Sequence, residues 1–167
     1  MAKKAGIQIT PAQMVAQWAH ASHKFQLNVW NFEVELAKSA VEIFQKSFDL
    51  HRFNSQSSSP WKERSRSYTH PILDETGTLK NSIEWKYLNN SVGANKGGVR
   101  IYTNPNKFGT AARHKGFCYA AVHNDPSGSH TYGKTGKPSI QRQFIGHSTE
   151  LDKKIKDLSI KIFAGLP

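Results

Sequence analysis

The side chains of this sequence that could do chemistry are its histidines and its single cysteine. Four of them lie close in sequence and could supply nitrogen and sulfur ligands to a metal: His114, Cys118, His123 and His130. Structural zinc sites usually have tightly spaced Cys-x-x-Cys or His-x-x-x-His pairs. Cys118 and His123 are instead five residues apart on a predicted strand, where they would point to opposite faces. We therefore expect no metal and no cofactor.

A histidine-dependent nuclease is the sharper chemical alternative, because His123-Asn124-Asp125 and His130 are residues of the kind found in DNA-cutting sites. Such an enzyme needs a base that a fixed scaffold holds near a metal or an acid. His130 falls in a stretch rich in glycine and serine, with no partner at a spacing that would anchor it. The sequence also lacks a Gly-x-Ser-x-Gly turn and a phosphate-binding glycine loop. We expect a protein that is not an enzyme.

The chain is strongly basic, which indicates an anionic partner. It has 23 lysines and arginines against 12 aspartates and glutamates, a formal net charge of +11 at pH 7, and nucleic acid is the commonest partner of such a surface. The cations are spread along the chain without a run of like charge. The sequence leaves open whether they form a general basic surface or a phosphate-facing stripe. Our candidates for DNA contact lie in a long basic loop: Lys107, Arg113 and Lys115.

Length and composition predict one soluble domain. A chain of 167 residues with a 37% hydrophobic share can bury one core. We assign this domain to residues 10–167 and expect the basic segment 1–9 to be a flexible arm. No signal peptide and no run of about 18 apolar residues is visible, so we expect a protein that is neither secreted nor inserted in a membrane.

The first part of the domain predicts a long helix. Thr10-Pro11-Ala12-Gln13 combines an N-terminal capping box with a proline at the first helical position. Apolar residues then recur every three or four positions, and neither glycine nor proline occurs between Pro11 and Pro60. The helix should therefore reach about residue 50. A helix of about 40 residues is about 60 Å long, which exceeds the diameter of a domain of this size.

Part of this helix must therefore lack cover within one copy of the protein. Either the helix breaks in residues 19–24, where polar side chains weaken the apolar stripe, or its exposed part packs on neighbouring subunits. We favour subunit contact through Trp18, Phe25 and Trp30, because large aromatic side chains outside a core are typical of interface centres.

The middle of the chain predicts a small sheet. Residues 82–88, 98–103 and 116–122 are short, rich in aromatic or β-branched side chains, and bounded by asparagine or glycine clusters, as strands are. Residues 124–137 contain three glycines and no apolar periodicity, so we expect an extended loop there.

The end of the chain predicts an amphipathic helix. Ser148 and Thr149 can cap it, and its apolar side chains recur at three- and four-residue steps, so the helix should lie on the sheet or on the long helix. These side chains are Leu151, Ile155, Leu158 and Ile162. The predicted fold class is α+β, with a long N-terminal helix, a small antiparallel sheet of three or more strands and a C-terminal amphipathic helix.

Three motifs occur in order between about residues 60 and 150. They are Leu-Asp-Glu-Thr-Gly-Thr-Leu-Lys-Asn-Ser-Ile at 73–83, Tyr-Ala-Ala-Val-His at 119–123 and Pro-Ser-Ile-Gln-Arg-Gln-Phe at 138–144. Together they resemble the phage virion morphogenesis family, which includes tail completion and neck proteins of tailed bacteriophages. The residues that match its pattern are Gly77, Leu79, Ser82, Ile83, Tyr119, His123, Pro138, Arg142 and Phe144.

The resemblance implies a structural virion protein that is made in the host cytoplasm. In this family, six or twelve copies form a ring at the head-tail junction, between portal or adaptor proteins and tail proteins, and genomic DNA passes through the lumen. Identical basic loops around the lumen would contact double-stranded DNA without reading its sequence. Ring contacts are head to tail, and their candidates here are the long helix and the 124–137 loop. The alternative is a basic DNA-binding protein or a histidine-dependent nuclease.

Overall fold

The computed structural model of the protein describes residues 10–64, 69–88, 98–108, 118–132 and 136–164. The predictions for the 1–9 arm and for His114, Arg113 and Lys115 lie outside the described residues. The elements in chain order are α1 (Pro11–Leu50), α2 (Thr78–Asn81), β1 (Ile83–Tyr87), β2 (Val99–Thr103), a 3-10 turn (Pro105–Lys107), α3 (Ala120–Asn124), β3 (Thr131–Tyr132), β4 (Lys137–Pro138) and α4 (Thr149–Phe163).

Helix α1 is one continuous helix of 40 residues. The predicted capping box is present: the Gln13 backbone N–H donates to Thr10 Oγ1 at 3.2 Å, and the Thr10 N–H donates to Gln13 Oε1 at 2.9 Å. The helix ends at His51, whose left-handed backbone (φ 50°) turns the chain away. The long-helix prediction is confirmed, and the alternative of a break in residues 19–24 is wrong.

The core surrounds the C-terminal half of α1. There Phe48 meets the Trp61 ring edge-on at a centroid distance of 5.6 Å and the Phe144 ring at 5.3 Å. The buried cluster joins α1 to segments from the whole described chain: Ala40, Phe44, Phe48, Phe53, Trp61, Leu79, Ile83, Phe108, Ala120 and Phe144.

Strands β1 and β2 form an antiparallel pair that packs on α1, with Ile83 opposite Thr103 and Tyr87 opposite Val99. Strands β3 and β4 form a separate two-residue ladder within the segment for which we expected an extended loop. The α+β class, the long helix and the small antiparallel sheet are confirmed, and each sheet of the described residues has two strands.

The third predicted strand, 116–122, is wrong where the structure describes it. Residues from Ala120 onward form α3, and Ala120 is buried in the core. A short apolar run marks burial but does not distinguish a strand from a buried helical turn. The two alanines at its end favour helix.

Helix α4 runs along α1 in the opposite direction. It begins beside the C-terminal end of α1, where Thr149 Oγ1 accepts the Gln56 N–H at 2.8 Å. It ends beside the middle of α1, where Asn28 Nδ2 donates to the Ile162 carbonyl at 3.1 Å. The predicted C-terminal helix is confirmed, and it lies on the long helix. None of the helices in the described ranges has the length and apolar character needed to cross a membrane.

Candidate functional site

The N-terminal half of α1 extends beyond the rest of the described structure. Every residue from 11 to 27 is exposed except Ala21, which is half-buried. Trp18 is 74% exposed and Phe25 is 51% exposed. At 1.5 Å per residue these 17 positions form about 25 Å of helix. The described residues thus include a rod of helix that is largely exposed and that α4 contacts near its end, through Phe163 on Phe25.

One side of this rod continues the contact between α1 and α4. Its side chains recur at alternating four- and three-residue steps, the spacing of a seam between two packed helices. At one end of the seam the Phe163 ring of α4 lies 5.9 Å from Phe25 and 5.7 Å from Phe32, measured between centroids. The positions are Met14, Trp18, Ala21, Phe25, Asn28 and Phe32. We call the part from Met14 to Phe25, which meets α4 at Phe25, the uncovered stripe.

Trp30 does not belong to the uncovered stripe. It is 55% exposed, but it is twelve positions from Trp18 and therefore lies about 120° around the helix from it. It shares its side with Leu27, which is 49% exposed. Of the three predicted interface aromatics, the structure places Trp18 and Phe25 together and Trp30 apart. The helical period of the sequence already contains this separation.

Most of the family-motif residues lie in the core. Leu79, Ile83 and Phe144 are at most 2% exposed and belong to one cluster. Ser82 is buried, and its Oγ donates to the Leu79 carbonyl at 2.7 Å. Gly77 begins α2 with φ 68°, a conformation that favours glycine. The motif therefore positions the helical turn that leads into β1.

His123 lies on α3 between two aromatic rings, not on a strand as predicted. The centroids of Tyr119 and Tyr132 are 6.0 and 6.2 Å from its imidazole. Burial, and then the positive charges of Arg142 and Arg64, lower the pKa of His123 to about 4. Its Nδ1 is buried without a hydrogen-bond partner in the described structure. The imidazole is therefore neutral near pH 7.

Arg142 ties this motif to the rest of the core. Its side chain is buried, and Nε donates to the Lys62 carbonyl at 3.1 Å. Its backbone N–H donates to the His123 carbonyl at 2.7 Å, a bond between two main-chain groups that leaves the His123 imidazole out. Pro138 lies apart, on the exposed strand β4. Apart from Pro138, these motif residues therefore stabilise the interior of the fold.

The predicted lack of an anchor for His130 is wrong. His130 Nε2 lies 2.8 Å from Asp125 Oδ2 because α3 and β3 bring the two residues together. Cys118 Sγ contacts Thr103 Oγ1 at 3.8 Å, far from the tight pairing of a metal centre. In the described ranges no three His, Cys, Asp or Glu side chains are grouped so that they could hold a metal ion.

A groove of about 540 Å³ opens beside the core, between residues 53–62 and 139–147. Hydroxyl and amide groups line it, including Ser57, Gln141 and Gln143, together with the Lys62 side chain. No carboxylate belongs to the described lining. His147 also lines the groove, and its Nε2 is 3.2 Å from Asp152 Oδ2.

Lys107, the described member of the predicted DNA-contacting set, forms an ion pair. Its Nζ is 3.2 Å from Glu84 Oε1, and Asn104 Nδ2 donates to Glu84 Oε2 at 2.8 Å. The hydrogen bond from Asn104, together with Lys107, lowers the pKa of the Glu84 carboxyl below its usual value. Lys107 is half exposed and shares its charge with Glu84.

The described residues define an α+β protein built around one long helix, with an exposed rod at one end and a compact core at the other. Comparisons with protein-family models, with curated proteins and with solved structures each find no match to this chain. The resemblance to the phage family rests on the motif residues alone, and function is inferred below from those residues and from the exposed surfaces.

Proposed function

We propose that the protein is a structural component of a tailed phage, located at the head-tail junction as a neck or tail completion protein. In this proposal its copies form a ring, and genomic DNA passes through the ring. The single observation that carries the proposal is the uncovered stripe on α1, which places Trp18 and Phe25 in solvent on a helix that is already folded.

The uncovered stripe fits a contact with another copy because the same side of α1 already packs against a helix, α4, further along. The end of α4 packs against the same side of α1 at Phe25 and Phe32, so a helix arriving from a neighbour would extend existing packing. A large aromatic side chain buries about 150–250 Å², and burial stabilises by about 25 cal/mol per Å². Covering Trp18 alone is therefore worth about 4 kcal/mol before the cost of association.

The separate position of Trp30 favours a neighbour that reaches around the rod. A specific interface needs about 800 Å² from each partner, more than one narrow stripe supplies. A neighbour that contacts both sides would bury Trp18 and Trp30 together. In this proposal the receiving surface differs from the rod, so the contact is head to tail, and the rotation between neighbouring copies closes it into a ring. The resemblance implies six or twelve copies.

Internal placement of the motif residues also supports a structural role. Leu79, Ile83 and Phe144 fix the core, and His123 is held neutral between aromatic rings. A family defined by such residues preserves a shape, and its ring contacts and its partners, the portal or adaptor and the tail proteins, would be set by the exposed surface.

Light scattering after size-exclusion chromatography, at several protein concentrations, tests the proposal. The mass should rise with concentration to a fixed multiple of one copy, and Trp18→Ala should hold the protein at lower mass. Gln17→Ala, on an exposed polar position of the same rod, is the matched control and should assemble normally. Equal masses for wild type and Trp18→Ala at every concentration would contradict the proposed interface.

A second candidate, a histidine-dependent nuclease, is favoured by the contact between His130 and Asp125. Incubation with plasmid and a divalent metal ion discriminates the two. Cleavage that His130→Ala abolishes, in protein with an unchanged melting curve, would replace the structural proposal. Intact plasmid would leave the assembly role as the better account.

A further inference from the structure

The outward face of the β1–β2 hairpin carries an unusual charge arrangement. Successive side chains of a strand point to opposite faces. Ile83 and Ile101 pack on the core, so the intervening positions face away from it. These outward positions are Glu84, Lys86, Arg100 and Tyr102.

Lys86 and Arg100 are direct cross-strand partners in the antiparallel register. Their side chains start about 5 Å apart on the same face, and like charges at such positions destabilise the pair. Both residues are exposed. In the described chain neither forms an ion pair with a carboxylate. The hairpin therefore holds two cations against each other in the free protein.

The neighbouring groups strengthen the positive character of this face. Lys86 Nζ lies 5.1 Å above the centroid of the Tyr102 ring, which steadies the ammonium without neutralising it. Glu84 is the carboxylate on the face, and its oxygens are engaged by Lys107 and Asn104. Little negative charge is left to compensate the cross-strand pair.

We infer that the outward face of β1–β2, through Lys86 and Arg100 with Lys107 beside them, binds the phosphate backbone of double-stranded DNA without reading its sequence. A polyanion relieves the repulsion between the paired cations, because each can take its own phosphate. The long-range field of a chain with net charge +11 brings the polyanion to this face.

This inference rests on the proposed function, since it locates the DNA contact of the ring on the hairpin and not only in the predicted basic loop. It also follows from the register of the strands. The sequence shows each cation separately but not that they are opposite one another. DNA binding by the hairpin and assembly of the ring can therefore be tested separately.

Fluorescence anisotropy with a labelled duplex of mixed sequence, over a series of salt concentrations, is the direct test. Each cation that contacts a phosphate contributes about 0.9 to the slope of log K against log salt. Lys86→Gln with Arg100→Gln should therefore reduce the slope by about 1.8. The matched control is Lys154→Gln with Lys156→Gln, which removes the same charge from exposed positions on α4.

The control should leave the slope close to that of wild type. Equal losses from the two double variants would mean that only total charge matters and would overturn the inference. A melting curve checks each variant, and the hairpin variant should melt no lower than wild type because it removes a repulsive pair. Polyglutamate is the competitor: if it displaces the duplex at equal charge concentration, the partner is an acidic protein and the inference is wrong.

Glu84→Gln provides a test of opposite sign. Releasing Lys107 from its ion pair should tighten DNA binding more than Asp157→Asn does, although each change raises the net charge of the protein by one. Asp157 is exposed on α4. Equal gains from the two variants would contradict a role for this face.

Light scattering on the same samples separates the two proposals. If the hairpin variant loses DNA binding and assembles like wild type, the inference holds. If DNA binding is unchanged in the hairpin variant while Trp18→Ala blocks assembly, the inference fails and the proposed ring stands. If the hairpin variant loses DNA binding while Trp18→Ala assembles like wild type, the hairpin contact stands and the proposed interface fails.

Discussion

The two halves of α1 share an apolar helical period and have opposite environments. In the C-terminal half, Phe44 and Phe48 are at most 3% exposed and hold the core together. In the N-terminal half, Trp18 and Phe25 are mostly in solvent, although the helix continues through both halves without a break. An apolar helical period therefore tells which side chains share a side, but not whether the cover comes from the same chain.

The two halves of α1 also differ in how their helical structure is stabilised. Most of the stability of helices in proteins comes from tertiary packing, and the rod of residues 11–27 has little of it. It remains helical because the folded C-terminal half supplies the nucleus and each further residue only propagates the helix. We expect the rod to open locally at low cost, and covering it by assembly would stabilise it.

The largest predicted effect contrasts one aromatic residue from each half. Phe48→Ala should lower the free energy of unfolding by about 3–5 kcal/mol, because it empties the packing between Trp61 and Phe144. Trp18→Ala should change the unfolding free energy of one copy by less than about 0.5 kcal/mol. Urea unfolding at a concentration where the protein is monomeric measures both.

When association is measured instead of unfolding of one copy, Trp18→Ala should have the larger effect. At concentrations that favour the oligomer, Trp18→Ala should weaken association by about 2 kcal/mol or more, as residues at interface centres do. A loss of monomer stability from Trp18→Ala comparable to that from Phe48→Ala would mean that the rod is covered within one copy, and the contrast between the halves would disappear.

Local signals in the sequence were enough to predict several elements. The capping box, the proline at the first position and the uninterrupted period predicted α1, and Ser148 with a three- and four-residue period predicted α4. Strands β1 and β2 followed from aromatic and β-branched runs between turn residues. Each of these signals lies within the element that it specifies.

Other features depend on how the backbone folds back on itself, and the sequence does not display them. Ala120 is buried in the core as the first residue of α3, and the apolar run in the sequence indicated its burial but not its helical backbone. The pairing of His130 with Asp125 depends on the packing of α3 beside β3. The opposition of Lys86 and Arg100 depends on the strand register, which a slip of one residue would abolish.

The pH dependence of folding stability should further distinguish the core from the rod, and one histidine in each region tests this. In the core region, His123 has a folded-state pKa of about 4 against an ordinary value of 6.5. Between these values the unfolded chain binds a proton that the folded chain does not, so stability rises with pH across this window and falls as pH is lowered from about 6.5 to about 4. The full loss is about 3 kcal/mol at 1.36 kcal/mol per pKa unit.

His123→Gln should flatten this part of the stability profile, whatever its effect at neutral pH. His23→Gln, which replaces an exposed histidine on the rod, is the matched control. Urea midpoints at several pH values between 4 and 7 provide the measurement. An unchanged slope in His123→Gln would show that its imidazole is not kept neutral by burial.

The smallest predicted effects come from the two helix caps, one on each side of the comparison. Ser148 is buried, and its Oγ accepts the Glu150 N–H at 3.2 Å while donating to the Asn54 carbonyl. Ser148→Ala should lower the free energy of global unfolding by about 1–2 kcal/mol, because it removes a cap and leaves a buried carbonyl without its donor.

Thr10→Ala removes a capping box of similar quality from the end of the rod. It should leave the urea midpoint unchanged and speed amide hydrogen exchange in the first turn by about fivefold, the factor for a cost of about 1 kcal/mol. The reason is that the first turn frays without disturbing the core, so the loss appears only in the local opening equilibrium. If Thr10→Ala lowered the urea midpoint as much as Ser148→Ala, the rod would unfold together with the core, and its exposed aromatic side chains would have to stabilise the single copy by contacts other than those described.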